Sequence, residues 1–359
     1  MMRAVYATVE RVMRASDVKA SAYLQAEILE ALESASQSVD ELVNLGDATR
    51  PAFAPWVGSI TFDWPVTNNE DSYRFWLNNF RLHSLTSLVS GGRAISASAL
   101  PWPASGPPYS AIDVDTASDS SLEIASSGTG QRSLVVSGTW GTLGSDRTRS
   151  GWTLSSSVSS SASDLTLAAP IGVGALVLIG SERMIVTDRS WIDSGQTASG
   201  LTANVSAQSL TVTSGSAFFK GEEIIVDSER MLIRDIVGNV LTVARADGGS
   251  VLAEHANGAA VYWARACTVT RGALGTTASA HTSGAAISLY SAPAIVEQLT
   301  VAYAIEQRAQ EQVGYARTLT HIRDSRQFGQ HGNETGSVGI ASLEERVLAA
   351  YGRIRHRAI

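Results

Sequence analysis

Between residues 164 and 290 the chain repeats itself in an order that no tandem array produces. Gly180-Ser181-Glu182-Arg183-Met184-Ile185 returns as Asp227-Ser228-Glu229-Arg230-Met231-Leu232, and Leu241-Thr242-Val243-Ala244-Arg245 returns as Cys267-Thr268-Val269-Thr270-Arg271. The second match runs on at a constant offset of 26 residues, setting His255-Ala256-Asn257-Gly258-Ala259-Ala260 against His281-Thr282-Ser283-Gly284-Ala285-Ala286. Two front halves are followed by two back halves, whereas tandem repeats alternate them. Nesting explains the order. One β unit begins near Asp164, breaks off after Asp188 and resumes near Cys267, and a complete second unit, roughly 201–262, sits inside it. Exposed loop tips are where folds accept such insertions.

The flanks follow other periods. Leu24, Ile28, Leu32, Ala35, Val39 and Leu42 recur at steps of three and four, which predicts a helix from near Ser16 or Asp17 to Gly46, with Pro51 beyond its end. Its outer face reads as acidic, with Asp17, Glu27, Glu30, Glu33, Asp40 and Glu41 against Lys19 alone. From about Arg50 the period becomes two, and strands are predicted at 60–64, 73–77, 81–89, 111–115, 122–124 and 133–140. Gly91-Gly92 marks a hairpin turn, and Pro101-Trp102-Pro103 with Gly106-Pro107-Pro108-Tyr109 marks a rigid loop. Seven serines in the nine residues from Ser155 to Ser163 read as a linker.

After Pro293 the stripe Ile295, Leu299, Ala302, Ala309 and Val313 predicts a helix, followed by a loop from Gly329 to Gly339. Ser342-Leu343-Glu344-Glu345 reads as the capping box of a last helix, with Val347, Leu348, Tyr351 and Ile354 on its apolar face. That helix ends in Arg353, Arg355, His356 and Arg357, which suits its dipole and equally suits docking into an acidic groove. The expected class is α+β and multidomain. It comprises a helical segment (1–50), an antiparallel β module (51–150), the serine linker (151–163), the β-repeat region (164–290) and C-terminal helices with a docking tail (291–359).

Composition and motifs narrow the chemistry. A net charge of -7 and a pI near 5.4 argue against a general nucleic-acid binder, because phosphate affinity comes from clustered cations. The single cysteine, Cys267, cannot form an internal disulfide. The N-terminus lacks the features of a signal peptide, and no stretch of 18 or more apolar residues predicts a membrane span. There is no P-loop, HExxH or G-x-S-x-G. None of His83, His255, His281, His321, His331 and His356 lies two to four residues from another histidine or from Cys267, so no metal site is expected. His255 and His281 recur in the repeat and read either as a ligand or acid/base pair or as caps bonding a backbone carbonyl. Ser-Glu-Arg-Met reads as a hairpin turn with Met184 and Met231 facing inward. Asp63, Asp113 and Asp115 form a candidate carboxylate set. Trp56, Trp64, Trp76, Trp102 and Trp140 read as a domain core before a sugar platform. No catalytic residue and no cofactor is expected.

The segments Ile60-Thr61-Phe62-Asp63-Trp64-Pro65, Tyr73-Arg74-Phe75-Trp76-Leu77, Leu85 to Gly92, Gly106-Pro107-Pro108-Tyr109 and Val136 to Gly141 resemble the β module of head-to-tail connector proteins of long-tailed bacteriophages. The repeat, with Glu-Arg-Met, Leu-Thr-Val-x-Arg and His-x-x-Gly-Ala, is similar to a small β unit common in phage structural proteins. The ending Leu348 to Arg355 resembles an adaptor terminus. The resemblance implies a structural virion protein, made in the bacterial host cytoplasm and placed in the neck. Its terminal helices would pack together, so that Leu24, Ile28 and Leu32 of the subunit meet Leu299. It implies a twelve-fold ring of copies between the portal protein and a stopper or tail terminator, with double-stranded DNA passing without sequence readout. Tyr351, Arg353, Ile354, Arg355 and Arg357 would dock partners. The alternatives are another virion part (tail completion, decoration or fibre attachment) or a carbohydrate-binding module. The large β content departs from a minimal adaptor.

Overall fold

In the computed structural model, residues 3–16, 25–63, 72–95, 99–115, 131–141, 144–313 and 334–352 are described. The chain is α+β, with helices at both ends and three antiparallel sheets between them. α1 (Val9–Ser16) and α2 (Gln25–Val43) precede the sheets, and α3 (Ala294–Val313) and α4 (Glu334–Tyr351) follow them.

β1 (Trp56–Phe62), β2 (Ser72–Trp76), β3 (Leu82–Ser90), β4 (Arg93–Ala94), β5 (Ala99–Trp102), β6 (Ala111–Asp115) and β7 (Leu134–Trp140) form the first module. They make a four-stranded sheet, β1-β7-β3-β4, and a three-stranded sheet, β2-β6-β5. Alternation buries one face of each against the other, around Ile60, Phe62, Phe75, Leu88, Ile112, Val136 and Trp140. The Gly91-Gly92 turn joins β3 to β4 as expected. Pro101 and Trp102, predicted as loop, belong to β5. A proline is tolerated there because β5 is an edge strand.

β8 (Ser145–Thr153) starts the second assembly. It pairs with β17 (Ala286–Ser291), so the expected module boundary at residue 150 falls earlier, after β7. β9 (Asp164–Thr166), β10 (Leu176–Ile179), β11 (Glu182–Ala198), β12 (Ser209–Thr211), β13 (Glu223–Val226), β14 (Glu229–Val237), β15 (Val240–Ala244) and β16 (Ala259–Thr270) complete a ten-stranded sheet. The nesting read from the sequence is present in its order, β12-β15-β14-β13-β16-β11-β10-β17-β8. Equivalent residues fill two separate cores: Val177, Ile179, Met184, Val269 and Ile287 in the outer unit, and Ile224, Val226, Met231, Val243 and Val261 in the inner one. The long antiparallel pair β11–β16 fuses them, since β16 pairs β13 with its first part and β9 with its last.

The serine-rich stretch is not a linker. Val158 is buried and bridges to His281, and the carbonyls of Ser159 and Ala162 accept from Arg271 Nη1 at 2.7 Å. Composition hid this because the segment is used through its backbone.

The helices differ from expectation in detail. α1 and the buried segment Ala4–Ala7 form an unpredicted N-terminal element, and Leu24 lies outside the described residues. Asp40, assigned to the acidic outer face, is buried and pairs with Arg3 and the Tyr6 hydroxyl. α3 turns Val296, Leu299, Thr300 and Ala304 inward and leaves Ala309 exposed, because it packs on α1, α2 and α4 together. α4 begins at Glu334, so Ser342 sits inside the helix and caps nothing. The predicted loop is helical from 334 onward. Packing of Ile340, Leu343, Val347 and Tyr351 on the core selects this register and leaves Leu348 exposed.

Candidate functional site

The N-terminal segment and the last helix meet at one place. Tyr6, in the N-terminal segment, stands edge-on to Phe53 at 5.4 Å, and Phe53 stands edge-on to Tyr351 of α4 at 5.3 Å. The Tyr290 hydroxyl of β17 donates to the Phe53 carbonyl at 2.7 Å. One phenylalanine thus ties the N-terminus, the last helix and the ten-stranded sheet. Tyr303 of α3 donates to Glu344 of α4 at 2.7 Å, closing the helical platform.

The residues expected to pack the helices do so within one chain. Ile28 and Leu32 are buried with Val9, Val301 and Ala304, and Leu299 is buried with Val39, Val43 and Val296. They hold the platform and are closed to a second copy. Tyr351, expected to dock a partner, is half-buried and packs edge-on against Phe53. Arg353, Ile354, Arg355 and Arg357 lie outside the described residues.

Two matching ionic clusters clip the β units. In the outer unit the Glu182 carboxylate accepts from Arg271 Nε and Nη2, both at 2.8 Å, from the Gly272 and Ser279 amides at 2.9 and 3.0 Å, and from His281 Nε2 at 2.8 Å. In the inner unit Glu229 accepts from Arg245 Nε and Nη2 at 2.7 and 2.8 Å, from the Ala246 and Ala253 amides at 2.8 and 3.0 Å, and from His255 Nε2 at 2.9 Å. Burial alone would raise both carboxyl groups, but the arginine, amide and histidine donors outweigh it and hold each at about 2. His255 and His281 therefore bond carboxylates, not the backbone carbonyls expected of turn caps. His255 is held at its other nitrogen too, 2.7 Å from Asp227. Both ring nitrogens of His255 and the Nε2 of His281 are spent on carboxylates that an arginine also holds, so the geometry is that of a fastening. Sequence reading found the residues of the repeat but missed this pairing, which joins Glu to Arg across 89 residues in one unit and 16 in the other.

The remaining candidates separate. Asp63 accepts from the Arg132 amide at 2.7 Å beside β1, while Asp113, on the other sheet, is neutralised by Arg74 at 2.6 and 2.8 Å. The side chain of Asp115 lies outside the described set. Trp56 and Trp140 stack at 5.5 Å inside the module, as expected of a core. Trp76 and Trp102 do not belong to it: they meet on the outer face of β2-β6-β5, 5.6 Å apart, with Trp76 49% and the neighbouring Leu100 60% exposed. The guanidinium of Arg74 lies over Trp102 at 4.6 Å. Trp64 lies outside the described residues. Burial pushes the Cys267 thiol up to about 12, away from reactivity. Among the described residues no group of His, Cys, Asp and Glu could hold a metal ion, and no helix is long and apolar enough to cross a membrane. No protein-family model, curated protein or solved structure was found to match the chain.

Proposed function

We propose that this chain is a non-enzymatic building block of a phage neck, a head-to-tail adaptor that assembles as a ring around the DNA path and docks portal and lower neck proteins with its ends. The observation that supports this reading is the Tyr6–Phe53–Tyr351 ladder, which gathers the N-terminal segment and the last helix onto one helical platform. Exposed Trp76 and Leu100 offer a hydrophobic anchor for a neighbouring copy, of the residue type that dominates interface energetics. The test is light scattering of the purified chain with and without portal protein, and after removal of residues 353–359, which spares the packed part of α4. A defined ring, or a monomer that assembles on adding portal, is expected, with assembly weakened by the deletion and by Trp76→Ala. A monomer indifferent to portal in every form sinks the reading.

The open Trp76–Trp102 face with its Arg74–Asp113 pair also favours a second reading, a carbohydrate platform. Glycan binding lost in Trp76→Ala, in a chain that stays monomeric, would select it.

A further inference from the structure

A groove of about 360 Å³ lies where α1 meets both β units. Its carboxylates are largely committed. Glu222 takes Nε and Nη2 of Arg265 at 2.6 and 2.7 Å. Glu10 accepts from the Val173 amide at 3.1 Å and pairs with Arg189 Nη2 at 2.6 Å. Glu223 stands 3.7 Å from Arg189 Nη2, and burial, opposed by that guanidinium, raises its carboxyl group, which weakens it as a competing anion.

The donors on the same walls are not committed. The Arg149 guanidinium lies 5.0 Å over the Trp152 ring, and among the described residues no carboxylate pairs with it. Arg14 makes a contact with the Glu10 backbone carbonyl and has no ion pair among them. Lys220 reaches only an exposed Asp235 at 3.5 Å. Two buried N–H groups have no acceptor among the described residues, Nε1 of Trp152 and Nε of Arg189. Trp152 is 6% exposed and the Arg189 side chain 10%. Buried donors are rarely left without a partner, and the two residues that carry these both line the groove, with the N–H groups themselves just beneath its surface.

We propose that this groove binds an oxyanion, a carboxylate or a phosphate ester, whose charge is held by Arg149, Arg14 and Lys220 and whose entry shifts the wall enough to give the Trp152 and Arg189 N–H groups an acceptor. Phe219, edge-on to Trp152 at 6.4 Å, and Leu289 supply an apolar wall, so an anion carried on an aromatic or aliphatic body fits better than a bare ion. Bound there, it bridges the N-terminal helix to both β units. The inference stands apart from the neck reading, because it is tested on the isolated full-length chain.

The experiment is a titration with phenyl phosphate and with benzoate at an ionic strength fixed by sodium chloride, followed by ¹H–¹⁵N spectra. The Trp152 indole peak is assigned with Trp152→Phe, and the Arg189 Nε–H peak is followed beside it. Saturating shifts at both groups are expected with at least one probe, and the better probe names the ligand class. The exposed double variant Arg149→Gln, Lys220→Gln should bind about tenfold more weakly, as the loss of charge-assisted contacts requires, while its other indole peaks stay in place. Shifts that fail to saturate with both probes, shifts reproduced by sodium chloride alone, or equal binding by the double variant would overturn the proposal.

Discussion

Replacing Glu229 by glutamine tests whether the inner clip is what holds its unit together. The carboxylate and the Arg245 side chain are both fully buried, and five donors converge on the two carboxylate oxygens. An amide keeps one accepting oxygen, enough for Arg245 Nε and the Ala246 amide. Its NH₂ then faces Arg245 Nη2, the Ala253 amide and His255 Nε2, all donors. Histidine escapes by changing tautomer, but the other two cannot, and Arg245 is left as an uncompensated buried cation. Breaking one partner of such a pair costs about 3–5 kcal/mol. Hydrogen exchange read by mass spectrometry should show protection across 201–262 falling by that amount, with residues 154–188 and 267–289 changing by less than about 1 kcal/mol, as expected for separate cores. Glu182→Gln should reverse the pattern. The double change Glu229→Met, Arg245→Met should recover much of the loss, since apolar replacement of a buried pair is often neutral. Loss below about 1 kcal/mol, or equal loss in both units, would refute the reasoning.

Two further outcomes follow. Burial raises the Asp40 carboxyl to about 7 from 3.8, against the pull of Tyr6 and Arg3, so its contribution is complete below pH 3.8 and is lost as pH rises through about 7. Urea unfolding from pH 5 to 8 should show stability falling by at most about 1.4 kcal/mol per pH unit from this group, and Asp40→Asn should flatten that slope. The backbone turns left-handed after each clip arginine, at Gly272 (φ 56°) and at Ala246 (φ 53°). Thermal melts should therefore show Gly272→Ala losing about 1–2 kcal/mol and Ala246→Gly gaining up to about 1 kcal/mol, because only glycine adopts this geometry without strain.

The repeat makes the β architecture legible in the sequence. Matching of Glu182 to Glu229 and of Arg271 to Arg245 gave the nesting, and period two placed β1, β2, β3, β6 and β7 within a residue or so, apart from the longer reach of β1. Misreadings came where tertiary contacts override local pattern. The serines of 155–163 looked like a tether because their work is done by carbonyls. Ser342 looked like a cap because nothing local shows that Ile340 packs on the core. Asp40 looked solvated because its partners, Arg3 and Tyr6, lie more than thirty residues away. The groove near α1 was illegible for the same reason, as Arg14, Arg149, Arg189 and Lys220 share no sequence neighbourhood.

The nesting also imposes a timetable on synthesis. When Glu182 leaves the ribosome, the arginine that will hold it is still 89 residues from being made, whereas Glu229 waits for a partner only 16 residues behind it. Short closures form faster than long ones. The inner unit can therefore be complete while the outer one is still half a structure, with β10 and the start of β11 lacking β17 and the end of β16. Once folded, the inner unit brings the two ends of the gap in the outer unit together through β11 and β16, turning a long search into a short one. The inner unit thus acts as a splint for the outer one each time the chain is born.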